Sequence, residues 1–586
     1  MDQKRLILAI AISLAILFGF EALQPRHTAP VQTANTPAAT PHPTQPAAGT
    51  PAPATITSGP SGTPAGTPDK AVPANVPRVQ IAAPRIQGSI SLLGARLDDV
   101  VLRDYRETVA KNSPLVHILE PRSQAQPYFV QFGWTAADGT KAKLPDGDTL
   151  WTGTGEIAPG KTAHLSWDNG EGLTFDLGIT VDQNYMFSIT QTVRNATDAP
   201  VSLLPWSRIR RDYTPEVAGY YLLHEGLLGV VDGTLHELTY KATKSDGEKH
   251  HGVALENTGA GGWAGITDKY WLIALIPDQQ KQVIASFRHI VENGTDRYQV
   301  DYVAKDPTIV APHGDSTLVS RVFTGAKEVH LLNAYEENGH IPLFSYAVDW
   351  GWLFFITKPF FYAIDWLNHF LGNFGLAIMA FTLVVKGLFF PLANKSYRSM
   401  SKMKLLGPKM TALREQYKDD KAKLQPAIMA LYKAEKVNPA AGCLPIFIQI
   451  PVFFALYKVI YVTIEMRHAP FFGWIRDLSA IDPTNVFNLF GLLPFDPTQI
   501  APFLHLGAWP VIMGFTMYFQ QKLNPAPPDP IQAKLFQFMP LIFVFMLANF
   551  PAGLVIYWSW NNTLTIVQQW YIMRQTKLTK PAAARV

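Results

Sequence analysis

Two hydrophobic rhythms divide this chain. From residue 79 to 328, apolar and polar positions alternate in short runs such as GLTFDLGITV and YMFSITQTVRN, separated by Asp-Gly and Asn-Gly turn signals. A period of two puts every second side chain on one face. About 250 residues of it predict a large antiparallel β-sandwich, assigned to 79–340. After residue 345 the alternation gives way to long apolar runs. The run 372–392, GNFGLAIMAFTLVVKGLFFPL, is long enough to cross a hydrocarbon core of ~30 Å at 1.5 Å per residue. Further runs lie within 432–471, where Pro445 and Pro451 predict a distorted helix, and at 505–523, 536–550 and 553–570. With an N-terminal run at 6–20, six spans are expected: an α-helical polytopic bundle joined to an all-β domain.

The flanks orient these spans. Lys4 and Arg5 precede the first run and hold the N-terminus in the cytoplasm. A cut after Ala22 would put Phe20 where a signal peptidase needs a small residue, so 1–24 reads as an uncleaved anchor. Residues 25–78 are rich in Pro, Ala and Thr. They bury too little apolar surface to offset ordering entropy and read as a disordered tether. The sandwich then faces the periplasm. Residues 341–371, with Trp350, Trp352 and Trp366 among apolar neighbours broken by Asp349, Lys358, Pro359 and Asp365, read as an interfacial amphipathic helix.

The core is assigned to 372–573, with a hairpin at 393–438 that carries 11 Lys/Arg against 4 Asp/Glu and is placed in the cytoplasm. Its apolar stripes are Met403, Leu406, Met410 and Leu413, then Leu424, Ile428 and Leu431. Nothing else in the loop is large enough to cover both, which predicts a docking surface. Residues 486–504, NVFNLFGLLPFDPTQIAPF, are apolar, but Pro494 and Asp496 argue for an interfacial segment rather than a span. The basic tail 574–586 is cytoplasmic, so both termini lie inside.

Composition agrees. Hydrophobic residues make up 47% and charged residues 16%, below the ~25% of soluble chains, as an integral membrane protein with a soluble part requires. The single cysteine, Cys443, excludes an internal disulfide framework. Candidate chemistry is sparse. His250 and His251 are expected in a strand, on opposite faces, without a third ligand at a motif spacing. Asp146 and Asp148 in LPDGDTL read as a turn. No phosphate-binding glycine loop is present, and neither a catalytic site, a metal nor a cofactor is expected.

Lys386 breaks the 372–392 run, at a cost of roughly 2.5–3.5 kcal/mol for a charge at a helix centre. Two readings stand. In the first, its stem snorkels the roughly 9 Å to the cytoplasmic end. In the second, it lines a wet groove together with Thr382, one turn earlier, Gln449, and a polar face of the last run with Tyr557, Ser559, Asn561 and Asn562.

The aromatic-rich stretch 262–278, GWAGITDKYWLIALIPD, resembles the periplasmic domain of the YidC family of membrane protein insertases. The most specific resemblance lies in Asn438-Pro439, the Gly-Cys-Leu-Pro of 442–445, and the Gln-Ile-Pro-Val-Phe of 449–453. It implies a β-super-sandwich similar to mutarotase and carbohydrate-binding folds, without implying sugar chemistry. It implies an inner-membrane insertase and chaperone acting alone or with the Sec translocon. Its partners would be nascent membrane proteins, the lipid bilayer, and ribosome and targeting factor through the hairpin and tail, with no DNA. It places a basic residue in a client-contacting groove, here Lys386 where arginine is frequent, and Trp558 where a second groove tyrosine often follows the residue matching Tyr557. Two other classes remain open: an ion-coupled transporter, which needs a carboxylate facing Lys386, and a membrane-anchored carbohydrate-binding or sugar-modifying protein. The absence of an internal repeat weighs against the first.

Overall fold

The computed structural model describes residues 75–578 except 138, 218–222, 419, 436, 438–443, 502–503 and 525–529. The anchor 1–24, almost all of the tether 25–78, Asn438-Pro439, Cys443 and the tail beyond 578 therefore lie outside the described residues.

The alternating region folds as two antiparallel sheets, one of ten strands and one of nine. In Leu173–Val181 every odd position is buried, and the strand pairs in register with Met186–Asn195. The facing sheet is centred on Tyr128–Ala136, Val201–Arg211 and Thr295–Ala304. The two layers meet in one core, where the rings of Trp134 and Phe175 lie 5.0 Å apart. Asp146 serves its own turn, its carboxylate accepting from the Asp148 N–H at 2.9 Å and the Thr149 hydroxyl at 2.8 Å. The two histidines depart from expectation. They close a helix, α1 (Tyr240–Lys249), rather than lying in a strand. Thr239 caps α1 through the Ala242 N–H, His250 ends it, and His251 takes a left-handed φ of 54°. No cluster of three metal-ligating side chains occurs among the described residues.

After the last strand come α2 (Val329–Asn338) and α3 (Phe354–Leu371). The helix expected across 341–371 thus begins only at Phe354, behind a 3-10 turn at Phe344–Ala347. The helical part continues with α4 (Phe374–Leu388), α5 (Phe390–Leu405), α6 (Gly407–Gln416), α7 (Lys421–Ala434), α8 (Leu444–Val462), α9 (Ala508–Leu523), α10 (Pro530–Leu547) and α11 (Ala552–Leu578).

The run 372–392 is not one helix. α4 ends at Leu388, and α5 leaves it at 69°. Proline acts on the turn before it, since its ring clashes with the carbonyl four residues back and it offers no N–H there. Pro391 therefore breaks the ladder at Gly387, inside the run rather than at its end. Among the described residues no single helix is long and apolar enough to cross a membrane, and only α4 with α5 passes as a pair. Pro451 and Pro540 lie inside α8 and α10, which run on through them with one N–H fewer in each ladder.

The basic hairpin carries the clearest correction. Leu406 and Met410 pack against Ile428, Tyr432 and Val437, with Met403, Leu424 and Leu431 at the edge. Apart from the half-buried Leu413, which lies outside this cluster, the two stripes cover each other rather than standing bare for a partner. Charge dominates what remains outside, including a Lys409–Glu435 pair at 2.6 Å.

The β-domain is built onto the helices. Arg467 donates to the carbonyl oxygens of Arg106 (2.6 Å) and Glu107 (3.0 Å), Tyr270 meets Ser479 at 3.1 Å, and the Lys269 ammonium lies 3.5 Å from the Tyr461 ring centre. Glu465, just past α8, accepts from the Val329 N–H at the start of α2 at 2.9 Å. Its second oxygen is buried without a partner among the described residues. Burial pushes this carboxyl up to about 7. A carboxyl raised in the folded state favours the joint while protonated, and that contribution is lost as pH rises from its ordinary 4.5 through 7. At 1.36 kcal/mol per pH unit the loss is about 3 kcal/mol. Glu465→Gln keeps the accepting oxygen and removes the titration. The variant should resist proteolysis between domain and helices better than the parent at pH 8 and match it at pH 5, and equal rates at pH 8 would show that the group does not titrate there.

Candidate functional site: a polar cleft among four helices

The cleft arises where α4 bends into α5. Phe381, Thr382, Val385 and Lys386 come from α4, and Phe389, Leu392, Ala393 and Tyr397 from the bend and α5. Gln449, Val452 and Leu456 come from α8, and Tyr557, Asn561 and Gln568 from α11. It encloses about 620 Å³ including its mouth. The wall is mainly apolar, with polar groups drawn from opposite sides.

Helical spacing places those groups. Tyr557, Asn561, Thr565 and Gln568 recur every three or four residues and so share one face of α11. Lys386 points at that face, its Nζ donating to Thr565 Oγ1 at 2.7 Å. Thr565 in turn donates to the Asn561 carbonyl at 2.7 Å, and the Tyr397 hydroxyl also reaches Thr565. One small side chain therefore joins three helices. Across the cleft, Gln449 Nε2 donates to the Tyr557 hydroxyl. Thr382 lines the wall, but its hydroxyl is spent on the Ile378 carbonyl at 2.7 Å. Gln568 Nε2 is buried without a partner among the described residues, an open donor at the far end of the site.

Four of the five expected site residues, Lys386, Thr382, Gln449 and Tyr557, thus come together. Trp558 does not. Its ring packs between Phe453 (4.7 Å) and Phe543 (5.6 Å), away from the cleft. Ser559 donates to the Val555 carbonyl, and Asn562 turns to Thr516 of α9. Neither lines the site. Thr565 and Tyr397 were missed from sequence. Thr565 continues the four-residue spacing from Tyr557 and Asn561 and was legible on that ground.

A carboxylate facing Lys386 is absent from the described lining. Glu465, the one acid at the end of an apolar run, sits instead at the joint with the β-domain. Lys386 therefore presents a donor to the cleft from a position that a salt bridge does not occupy.

Comparison with known proteins accounts for both halves of the chain. Residues 78–363 match the model of the YidC periplasmic domain, and 366–580 that of the 60Kd inner membrane protein. The membrane protein insertase YidC of Granulibacter bethesdensis is 59% identical over 587 residues, covering all of both chains. The YidC of Acidiphilium cryptum is 54% identical, covering 87% of this chain and 86% of its own. With both halves matched and more than half of all positions shared end to end, the chain belongs to the YidC family of membrane protein insertases, proteins of the inner membrane that carry a periplasmic domain.

Proposed function

We propose that the cleft is a hydrophilic groove through which this insertase passes the polar tail of a client. The observation that carries the reading is the placement of Lys386, Gln449 and Tyr557 around one cavity in an otherwise apolar bundle. Moving a polar tail across hydrocarbon is costly because its groups lose water without gaining partners. A wet cavity reaching partway into the membrane shortens that barrier. Lys386 pairs transiently with acidic residues of the tail, and the membrane potential favours their outward passage by about 2.3 kcal/mol per charge per 100 mV. The client's apolar helix then leaves sideways into lipid, driven by burial of its side chains. Lysine offers a point charge where arginine would offer a planar fork, so a fixed carboxylate geometry is not required.

The topology consistent with this use has six spans, with both termini in the cytoplasm and the β-domain outside. The spans are then bent or interrupted helices, which a bundle tolerates when neighbouring helices satisfy the freed backbone groups. The cleft is best tested by crosslinking from Thr382 and Tyr557 to a stalled nascent membrane protein. Adducts from both positions are expected, and adducts from neither would remove the groove.

The hairpin 393–438 and the basic tail are the surfaces offered to ribosome, targeting factor and Sec components. Because the apolar stripes cover each other, binding there rests on charge. It should weaken as salt shortens the screening length from ~10 Å at 0.1 M to ~3 Å at 1 M. Deleting residues 400–435 should weaken ribosome association at low salt, leaving only what the basic tail supplies. Association that persists through both treatments would move the contact elsewhere.

A further inference from the structure

Between α8 and α10's partner α9 lies a segment the insertion mechanism does not use. Its base is tightly stapled. Asp482 accepts from the Trp509 N–H (2.9 Å) and the Trp474 indole (3.1 Å), Asn485 Nδ2 donates to the Leu504 carbonyl (2.9 Å), and the Val486 N–H to the Leu506 carbonyl (2.8 Å). The tip is ordered too. Asn488 accepts from the Gly491 N–H at 2.9 Å, and Asp496 from the Thr498 N–H at 2.9 Å.

This well-fastened loop exposes its apolar side chains. Leu492 is 82% and Ile500 74% exposed, and Phe487, Leu489, Phe490 and Phe495 are all exposed. Leu489 and Phe490 hold consecutive left-handed conformations (φ 53° and 60°), which bulky residues rarely adopt. The backbone is thus turned so that this crown faces outward rather than folding in. Across 486–504 the only charge is Asp496.

We infer that residues 486–500 form a preformed apolar wedge that seats in the periplasmic leaflet of the bilayer, at headgroup-to-acyl depth. The inference rests on the reading of the helical part as membrane-spanning. Three observations choose lipid as the occupant. The loop is rooted at the start of α9, whose outer face continues the same apolar surface through the exposed Phe515 and Phe519. Its approach, residues 467–479, touches the β-domain that the family places in the periplasm, which fixes the side. A surface nearly free of charge suits the interface better than water. The irregular backbone also limits the depth, because lipid-exposed loops do not occur within the hydrocarbon core.

The test places an environment-sensitive fluorophore on single cysteines in full-length protein, with Cys443→Ser as background. The bilayers are of phosphatidylethanolamine and phosphatidylglycerol carrying bromine either near the headgroup or near the chain end. Leu492→Cys and Ile500→Cys report on the wedge, Leu541→Cys on the outer face of α10, and Ile309→Cys on the exposed β-domain surface. The labels at 492 and 500 should be quenched at least half as strongly as at 541, and more by shallow than by deep bromine. Labels at both loop positions that stay as unquenched as at 309, while 541 is quenched, overturn the wedge. A label at 492 that bromine does not quench but that self-quenches as protein density in the bilayer rises overturns it in favour of a second copy as occupant. An unquenched label at 541 overturns the spanning assignment instead.

Discussion

Lys386→Ala should slow insertion of clients with acidic tails about ten-fold while leaving clients with neutral tails within two-fold of the parent. Two unit charges ~4 Å apart interact by about 4 kcal/mol at an effective dielectric near 20. A groove that admits water and a tail that stays mobile reduce this to about 1.4 kcal/mol, a factor of ten. Lys386→Arg retains the charge and should insert both client classes normally. The substitution also removes the bond to Thr565, which ties α4 to α11. Thr565→Val separates the two effects, because it breaks the same bond and leaves the ammonium in the cleft. It should spare acidic-tail clients. Insertion measured by protease protection in cells depleted of the parental protein decides the matter. Equal rates for Lys386→Ala and parent would leave Lys386 a lysine that merely snorkels. Equal loss in Thr565→Val would make the bond, not the charge, responsible.

Much of this architecture was legible because local pattern and tertiary role agree. The alternation in Leu173–Val181 reads directly as a half-buried strand, and each expected position is buried. α1 was missed because a short polar helix between strands has little apolar periodicity, although Thr239 offered a capping signal. The break after Leu388 was written in Pro391, but proline's effect falls on the preceding turn, so the run looked continuous. The hairpin stripes were read correctly as stripes. What sequence does not contain is whether two such faces meet, and they do. In the cleft, spacing on α11 pointed at Tyr557 and Asn561 and would have reached Thr565. Trp558 entered through family resemblance, and one residue's rotation of about 100° around the helix takes it to a flanking packing surface.

Lys458 shows the same limit from the other side. It lies within the apolar run of α8 and carried the same signal as Lys386, a charge where none is affordable. Its partner, Asp349, is remote in sequence and was read only as an interruption of an interfacial helix. In the structure the Lys458 ammonium meets Asp349 at 2.8 Å, and both side chains are largely buried. Asp349 also accepts from the His224 N–H of the β-domain at 2.8 Å and the Gly351 N–H at 3.0 Å. One carboxylate thereby holds the bundle, the connecting segment and the β-domain together.

Asp349→Ala should therefore release the β-domain from the helices. Burial alone would raise this carboxyl, but the Lys458 charge and the N–H donors outweigh it and hold it below the ordinary carboxylate value of 3.8. For a depressed carboxylate the stabilisation is present above that value and lost as pH falls through the folded one, so the joint stays intact across neutral and mildly acidic periplasmic pH. Removing one partner of a buried pair leaves the other charge uncompensated, at a cost of about 3 kcal/mol. When opening and reclosing outrun cleavage, proteolysis follows the open population. That cost then corresponds to roughly hundred-fold faster cutting between residues 340 and 353. The double variant Asp349→Leu with Lys458→Met replaces the pair by apolar groups and should recover most of the resistance, because neither charge is stranded. The recovery will be incomplete by the His224 N–H, which loses its acceptor in both variants. Unchanged cleavage in Asp349→Ala would mean that Arg467, Tyr270 and Glu465 hold the joint without it. Cleavage as fast in the double variant as in the single would place the stabilisation in the backbone bonds rather than in the ion pair.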